Sequence, residues 1–268
     1  MRTEGGELFI LDMGSGAREL GASLMASSPA QLRGNILVSH LHWDHIQGLP
    51  FFAPLYAPDG LWNIYAPKPV EGTVGDAFAT QMSPPFFPIT LDHLTARVQF
   101  HDLVEDQFQI GDATITTRSL NHPGPTLGYR IEADGVALVY ACDHEPYGMK
   151  GSTSYQDLDP RDCAHGDFLA GADLVIHDAQ YNADEFALKR GWGHSIGEYV
   201  VELCQLGGVK HVVLTHHDPM RTDLIIDESL EQLRRTFADR INFPMVTAAA
   251  EGAVITLGVA CGDGRNDH

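Results

Sequence analysis

The sequence predicts an α/β protein with two β-sheets and helices outside them. Short apolar runs of strand length recur and end on polar residues. Segments of helical periodicity separate them, and strands followed by helices occur twice along the 268 residues. A chain of this length can bury a large core and is expected to form a single domain over 1–268.

The first run, "ELFILDMGSG", is a strand ending in a glycine-rich turn, and the helical "ARELGASLMA" follows it. In "GNILVSH", Gly34 and Asn35 mark a turn, while Ile36, Leu37 and Val38 form a short buried strand. Residues 51–97 are rich in aromatics and prolines, contain one short helix, and lack a convincing core of their own. They are expected to form an excursion near the site. Phe51, Phe52, Tyr56, Trp62, Phe86 and Phe87 would then line a pocket mouth or a subunit contact.

Strands return in "RVQFHDL", "FQIGDATITTRSLNH" and "TLGYRIEADGVALVYACDHE", where Asp134-Gly135 has hairpin-turn chemistry. "ADLVIHDA" and "VKHVVLTHHD" are two further buried strands. Between them, Ser195 and Glu198 have the spacing of a capping box for a helix that Gly207-Gly208 closes. "DESLEQLRRTFADR" puts Leu230, Leu233 and Phe237 on one face of a last helix, and "MVTAAAEGAVITLG" ends in a strand or two.

Hydrophobic and charged contents of 44% and 20% are those of an ordinary globular protein. A net charge of -19 without any basic stripe disfavours long nucleic acids and anionic membranes as partners. The chain opens polar and has no apolar stretch long enough to span a bilayer, so a cytoplasmic location is expected. Cys142, Cys163, Cys204 and Cys261 form no CxxC pair and read as small buried apolar residues rather than a disulfide framework.

"SHLHWDHIQGLP" concentrates the chemistry, because His40, His42, Asp44 and His45 lie just beyond the end of a buried strand. Neutral imidazole is the commonest protein ligand for zinc, and a carboxylate can serve beside it. His40 and His42 share a side of an extended chain. Asp44 and His45 are adjacent, so they are expected to point differently and reach a second ion. Other strand ends deliver His122 in "LNHPG", Asp143 in "YACDHEP", Asp178 in "IHDAQY" and His216 in "LTHHDP".

With these motifs in this order, the chain resembles the metallo-β-lactamase superfamily over nearly its whole length; its HxHxDH signature is His40 to His45. The resemblance implies an αββα four-layer sandwich, two mixed β-sheets flanked by helices, with a two-metal site at one edge. It assigns His40, His42 and His122 to one ion, Asp44, His45 and His216 to the other, and Asp143 to both as a bridge. Zinc suits such a nitrogen-rich set, with manganese or iron as alternatives. Metal binding lowers the pKa of water toward neutrality, which makes hydroxide the expected nucleophile. His144 and Glu145 compete with Asp143, and His217 competes with His216, since one residue of slip reverses side-chain direction. Asp178 is either an acceptor that orients a ligand histidine or a simple cap.

"IHDAQY" followed by "GHSI" resembles ribonuclease Z and its smaller phosphodiesterase relatives. There a histidine of a GHS motif approaches the scissile phosphate from outside the metal shell, and His194 holds that position. The catalytic candidates are therefore Asp44 and His194. No basic, Gly/Pro-rich arm for transfer RNA is found, and GHSI replaces the usual GHST. Together with the acidic charge, this points to a small-molecule phosphodiester of the cyclic nucleotide or phosphoribosyl cyclic phosphate type, with a homodimer as the candidate assembly. The alternative is hydrolysis of a lactone, thioester or β-lactam, with Tyr181 or Tyr147 beside the metals. A metal-binding module without turnover is a third class, against which the full set of seven ligand candidates argues.

Overall fold

The computed structural model describes residues 1–27, 32–148 and 158–258. The chain divides into two compact units, one of residues 1–111, 116–129 and 191–193, the other of residues 112–115, 130–190 and 194–268.

In the first unit, β1 (Phe9–Leu11) leads through α1 (Ala17–Ser27) to β2 (Arg33–Leu37) and the one-turn α2 (Trp43–Ile46). Then come β3 (Leu61–Pro67), α3 (Val74–Gln81) and β4 (Arg97–Leu103). The four strands form one sheet in the order β1-β2-β3-β4, parallel throughout rather than mixed. Parallel neighbours need crossover connections, and the helices between the strands supply them. Ile10, Ile36, Ile64 and Phe100 stand in register across the sheet.

Residues 51–97 are not an excursion. They provide β3 and α3, and Phe52 and Trp62 are fully buried in the core of this unit, with ring centroids 4.9 Å apart, edge to face. Tyr56 and Phe87 pack partly against that core, and only Phe51 and Phe86 of the six aromatics are largely exposed. The physical reason lies in β3, where Trp62, Ile64 and Ala66 alternate inward. Prolines on either side conceal that short alternation in the sequence.

The second sheet has seven strands: β5 (Gln107–Ile110), β6 (Ala113–Ser119), β7 (Leu127–Ala133), β8 (Val136–Ala141), β9 (Leu174–Asp178), β10 (His211–Thr215) and β11 (Met245–Ala248). Their order is β11-β10-β9-β8-β7-β6-β5. Strands β8 to β11 are parallel, whereas Asp134 and Gly135, with φ of 54° and 74°, turn β7 directly into β8 as a hairpin. β11 is the only strand after residue 216 among the described residues.

The helices of the second unit are α4 (Pro160–Leu169), α5 (Ala183–Leu188), α6 (Gly197–Leu206) and α7 (Asp223–Phe237). Leu233 and Phe237 of α7 are buried and Leu230 is half-buried, as the helical spacing requires. Ser195 and Glu198 do not form a capping box: the N-cap of α6 is Ile196, with no side-chain cap. Ser195 is fully buried, and its hydroxyl donates instead to the carbonyl oxygen of His144. Cys142 and Cys204 are buried but Cys163 is only half-buried, and none of the three is in a disulfide among the described residues; burial pushes the Cys204 thiol far up, and Cys261 lies outside the described residues. No described helix is long and apolar enough to cross a membrane.

Candidate metal centre and its orienting carboxylates

The first unit gathers five of the seven expected ligands, His40, His42, Asp44, His45 and His122. β2 ends in a buried run, and Ser39 and His40 follow it, both buried, with His42 exposed. One ring nitrogen each from His40, His42 and His122 lies within 4.8 Å of the others. Nδ1 of His42 and Nε2 of His122 are 3.1 Å apart. Two nitrogens bound to one tetrahedral zinc would sit about 3.3 Å apart, so the pair fits a shared ion.

The other nitrogen of His122, Nδ1, donates to the carbonyl oxygen of Gly193 at 2.9 Å, which leaves Nε2 as the ligand atom. Gly193 is required there: its φ is +88°, and a Cβ would come within 2.1 Å of Nδ1 of His122. Asp44 and His45 diverge less than expected, since the helical turn of α2 brings Oδ2 of Asp44 to 3.2 Å from Nε2 of His45.

His45 has an orienting partner that the reading of the sequence overlooked. Nδ1 of His45 donates to Oδ2 of Asp12 at 2.7 Å. The same carboxylate accepts the Ser39 amide at 2.6 Å and the Ser39 hydroxyl at 2.8 Å. Asp12 stands at the end of β1 with a φ of 59°, a polar strand end in "LDMGSG" like those that marked the other candidates. Gly48 lets α2 close onto this turn, because a Cβ there would meet the Gly14 oxygen at 1.9 Å.

The second unit holds Asp143, His216, Asp178, His194 and Tyr181. Asp143 follows β8 and His216 follows β10, with φ of 63° and 56°, and Nε2 of His216 is 3.3 Å from Oδ1 of Asp143. His217 points elsewhere, lining a cavity with Tyr181, Arg221 and Leu233; burial first, then Arg221, lowers its pKa. His144 is also turned into the interior, so Asp143 is the residue of this turn that meets His216.

Asp178 orients a histidine, but one outside the expected ligand set, His194. Its Oδ2 accepts Nδ1–H of His194 at 3.0 Å and the amides of Ser195 at 3.1 Å and His144 at 3.2 Å. Oδ1 accepts the amide of Gln180 at 2.9 Å. The His194 ring is stacked on His216 with centroids 4.9 Å apart, and Tyr181 meets it edge-on at 5.5 Å. Burial and the surrounding carboxylates, Asp178 first, push the Tyr181 hydroxyl up to about 12, so it is a donor at neutral pH.

This fold and its histidine–carboxylate groups define a metal-dependent hydrolase. The chain belongs to the metallo-β-lactamase superfamily: the family model described as "Beta-lactamase superfamily domain" matches residues 12–217. It is distantly related to ribonuclease Z of Lactiplantibacillus plantarum, with 24% identity over 88% of this chain and 85% of that protein. A diphosphatase of the PhnP family superposes with a TM-score of 0.62, 18% identity, and coverage of 95% of this chain and 81% of the other. Zinc-bound PqqB from Methylobacterium extorquens gives a TM-score of 0.64 at 17% identity, covering 96% and 86%.

Proposed function

We propose that the protein is a phosphodiesterase acting on a small phosphodiester, and that His40, His42, Asp44, His45, His122, Asp143 and His216 are the ligands of two divalent ions, zinc by preference, as the family pattern implies. Bound there, such ions supply an activated water near neutral pH and neutralise phosphoryl charge. Asp143 is the carboxylate suited to bridge them, by the family pattern.

The observation that carries the phosphodiester reading is His194. A carboxylate fixes its Nδ1 as donor, and its ring lies against His216 rather than being bonded on both nitrogens to backbone. An imidazole so held can deliver a proton to a leaving alkoxide or stabilise a phosphoryl oxygen through Nε2. The ribonuclease Z relatives and the PhnP-family diphosphatase support phosphoryl chemistry. The charge of -19 supports a small substrate over transfer RNA.

A second reading, lactone or thioester hydrolysis, rests on Tyr181, whose hydroxyl could donate to a carbonyl oxygen. The deciding experiment pairs elemental analysis with a panel of cyclic nucleotides, bis-aryl phosphates, transfer RNA, lactones and thioesters. Two ions per chain, lost in Asp143→Ala, and turnover confined to the small phosphodiesters are expected. One ion or fewer in the fully metallated protein, or preferential lactone turnover, would sink the reading.

A further inference from the structure

Behind Asp178 runs a chain of buried polar groups that the proposed chemistry does not use. Nδ1 of His177 lies 2.7 Å from the carbonyl oxygen of Asp178, and Nε2 of His177 lies 2.9 Å from Nε2 of His165 on α4. A carbonyl only accepts, so Nδ1 of His177 carries the proton and Nε2 is its acceptor. His165 must then donate through Nε2. The hydrogen bonds thus fix one tautomer for each ring. Burial holds both imidazoles well toward the neutral form, which this arrangement requires.

The His165 ring stacks on His144 with centroids 3.8 Å apart and 14° between planes. Nε2 of His144 lies 3.3 Å from the Tyr199 hydroxyl, which donates to Oδ1 of Asp162 at 2.8 Å. Asp162 also accepts the amides of Tyr147 and Gly148. His144 completes the circuit, since its own amide donates to Oδ2 of Asp178. Asp178 is therefore gripped at its peptide oxygen by one branch and at its carboxylate by the other, and both branches are anchored on α4.

Fully buried polar groups cost stability that an apolar filling would avoid. Their placement is explained if they fix a neighbour's orientation. We propose that His177 and His165 are positioning residues for His194: they lock the Asp178 peptide, and through it the carboxylate that aims the His194 ring. This deepens the phosphodiesterase reading and rests on it.

The test uses zinc-loaded wild type, His177→Leu, His177→Asn, His165→Phe, His194→Ala and the double variant His177→Leu/His194→Ala. Two substrates are compared, a cyclic nucleotide with a poor alkoxide leaving group and a bis-nitrophenyl phosphate with a good one. His177→Leu is expected to lower kcat on the cyclic nucleotide by about tenfold or more, the scale for losing an orienting partner, and to spare the nitrophenyl ester. His177→Asn, whose amide can replace the Nδ1 donor, recovers most of the loss. His165→Phe keeps the stack on His144 but not the donor, and shows the same leaving-group signature even if His177→Leu folds poorly.

Beside His194→Ala, the His177→Leu change adds nothing further. In the metal-free protein, the Nδ1 proton resonance of His194 shifts in His177→Leu. Equal losses on both substrates, or a further loss in the double variant beyond that of His194→Ala alone, would assign the pair to fold support and overturn the proposal. If His194→Ala itself shows no leaving-group dependence, the phosphodiesterase role of His194 fails. The resonance then decides positioning alone, and an unchanged signal refutes it.

Discussion

The Asp12 carboxylate lies 2.7 Å from Nδ1 of His45, and the two residues are 33 positions apart. This contact sets the tautomer and direction of one proposed ligand from a strand that carries none. Asp12→Asn retains the shape but not the charge, and Asn can offer either an acceptor or a donor to Nδ1. It is expected to weaken metal binding on the order of 10- to 100-fold, the usual cost of a lost orienting carboxylate. Titration with a competing chelator measures this. An unchanged affinity would mean that His45 is held by packing alone.

Removing the His194 imidazole should leave metal content intact. His194→Ala is expected to lower kcat on a poor-leaving-group phosphodiester on the order of 100-fold. A nitrophenolate leaving group needs little protonation, so its loss should be smaller. Rates across a series of aryl and alkyl esters read this as a slope against leaving-group pKa.

Gly193 and Gly191 separate two causes of glycine dependence. Their φ values are nearly the same, +88° and +89°, but only at Gly193 would a Cβ strike a neighbour, His122. Gly191→Ala should cost about 1–2 kcal/mol from backbone strain alone. Gly193→Ala should cost more and also displace His122, so that metal content falls. Denaturant titration together with elemental analysis distinguishes the two, and equal effects would remove the special role of Gly193.

The neutral histidines of the interior make stability pH-dependent in a defined direction. Burial depresses the folded pKa values of His165 and His177 below the ordinary imidazole value of about 6.5. The unfolded chain therefore binds more protons as pH falls through the unfolded pKa. Stability is fully present above about pH 6.5 and declines below it, ahead of the carboxylate transitions near pH 4. Denaturant midpoints of the metal-free protein between pH 8 and 5 should show this decline. His165→Phe should flatten it, and an unaltered slope would show that other groups are responsible.

What the sequence revealed of the site was local. His40, His42, Asp44 and His45 follow one buried run and announce themselves by spacing, and Asp143 and His216 are polar ends of apolar strands. What it concealed depends on distance along the chain. Asp12 acts on His45 only because β1 pairs with β2, and nothing near residue 12 signals a histidine. Ser195 has capping chemistry with Glu198 at the right spacing, yet a buried carbonyl 51 positions away takes its hydroxyl. Trp62 and Phe52, expected at a pocket mouth or a subunit contact, belong instead to a core that takes shape only once β3 is paired on both sides. Local propensity describes these residues correctly; tertiary partners decide their use.

Asp12, Asp143 and His216, each just beyond a parallel strand, share a left-handed backbone with φ of 59°, 63° and 56°. Glycine adopts that conformation at no steric cost, and aspartate tolerates it better than histidine does. Directed evolution for heat resistance, scored on folded protein alone, would therefore favour glycine at position 216 first. The survivors would be sturdier and inert. A thermostable catalyst will emerge only from a selection that monitors turnover in every round, because at these strand ends the most comfortable backbone residue is one that has no ligand to offer.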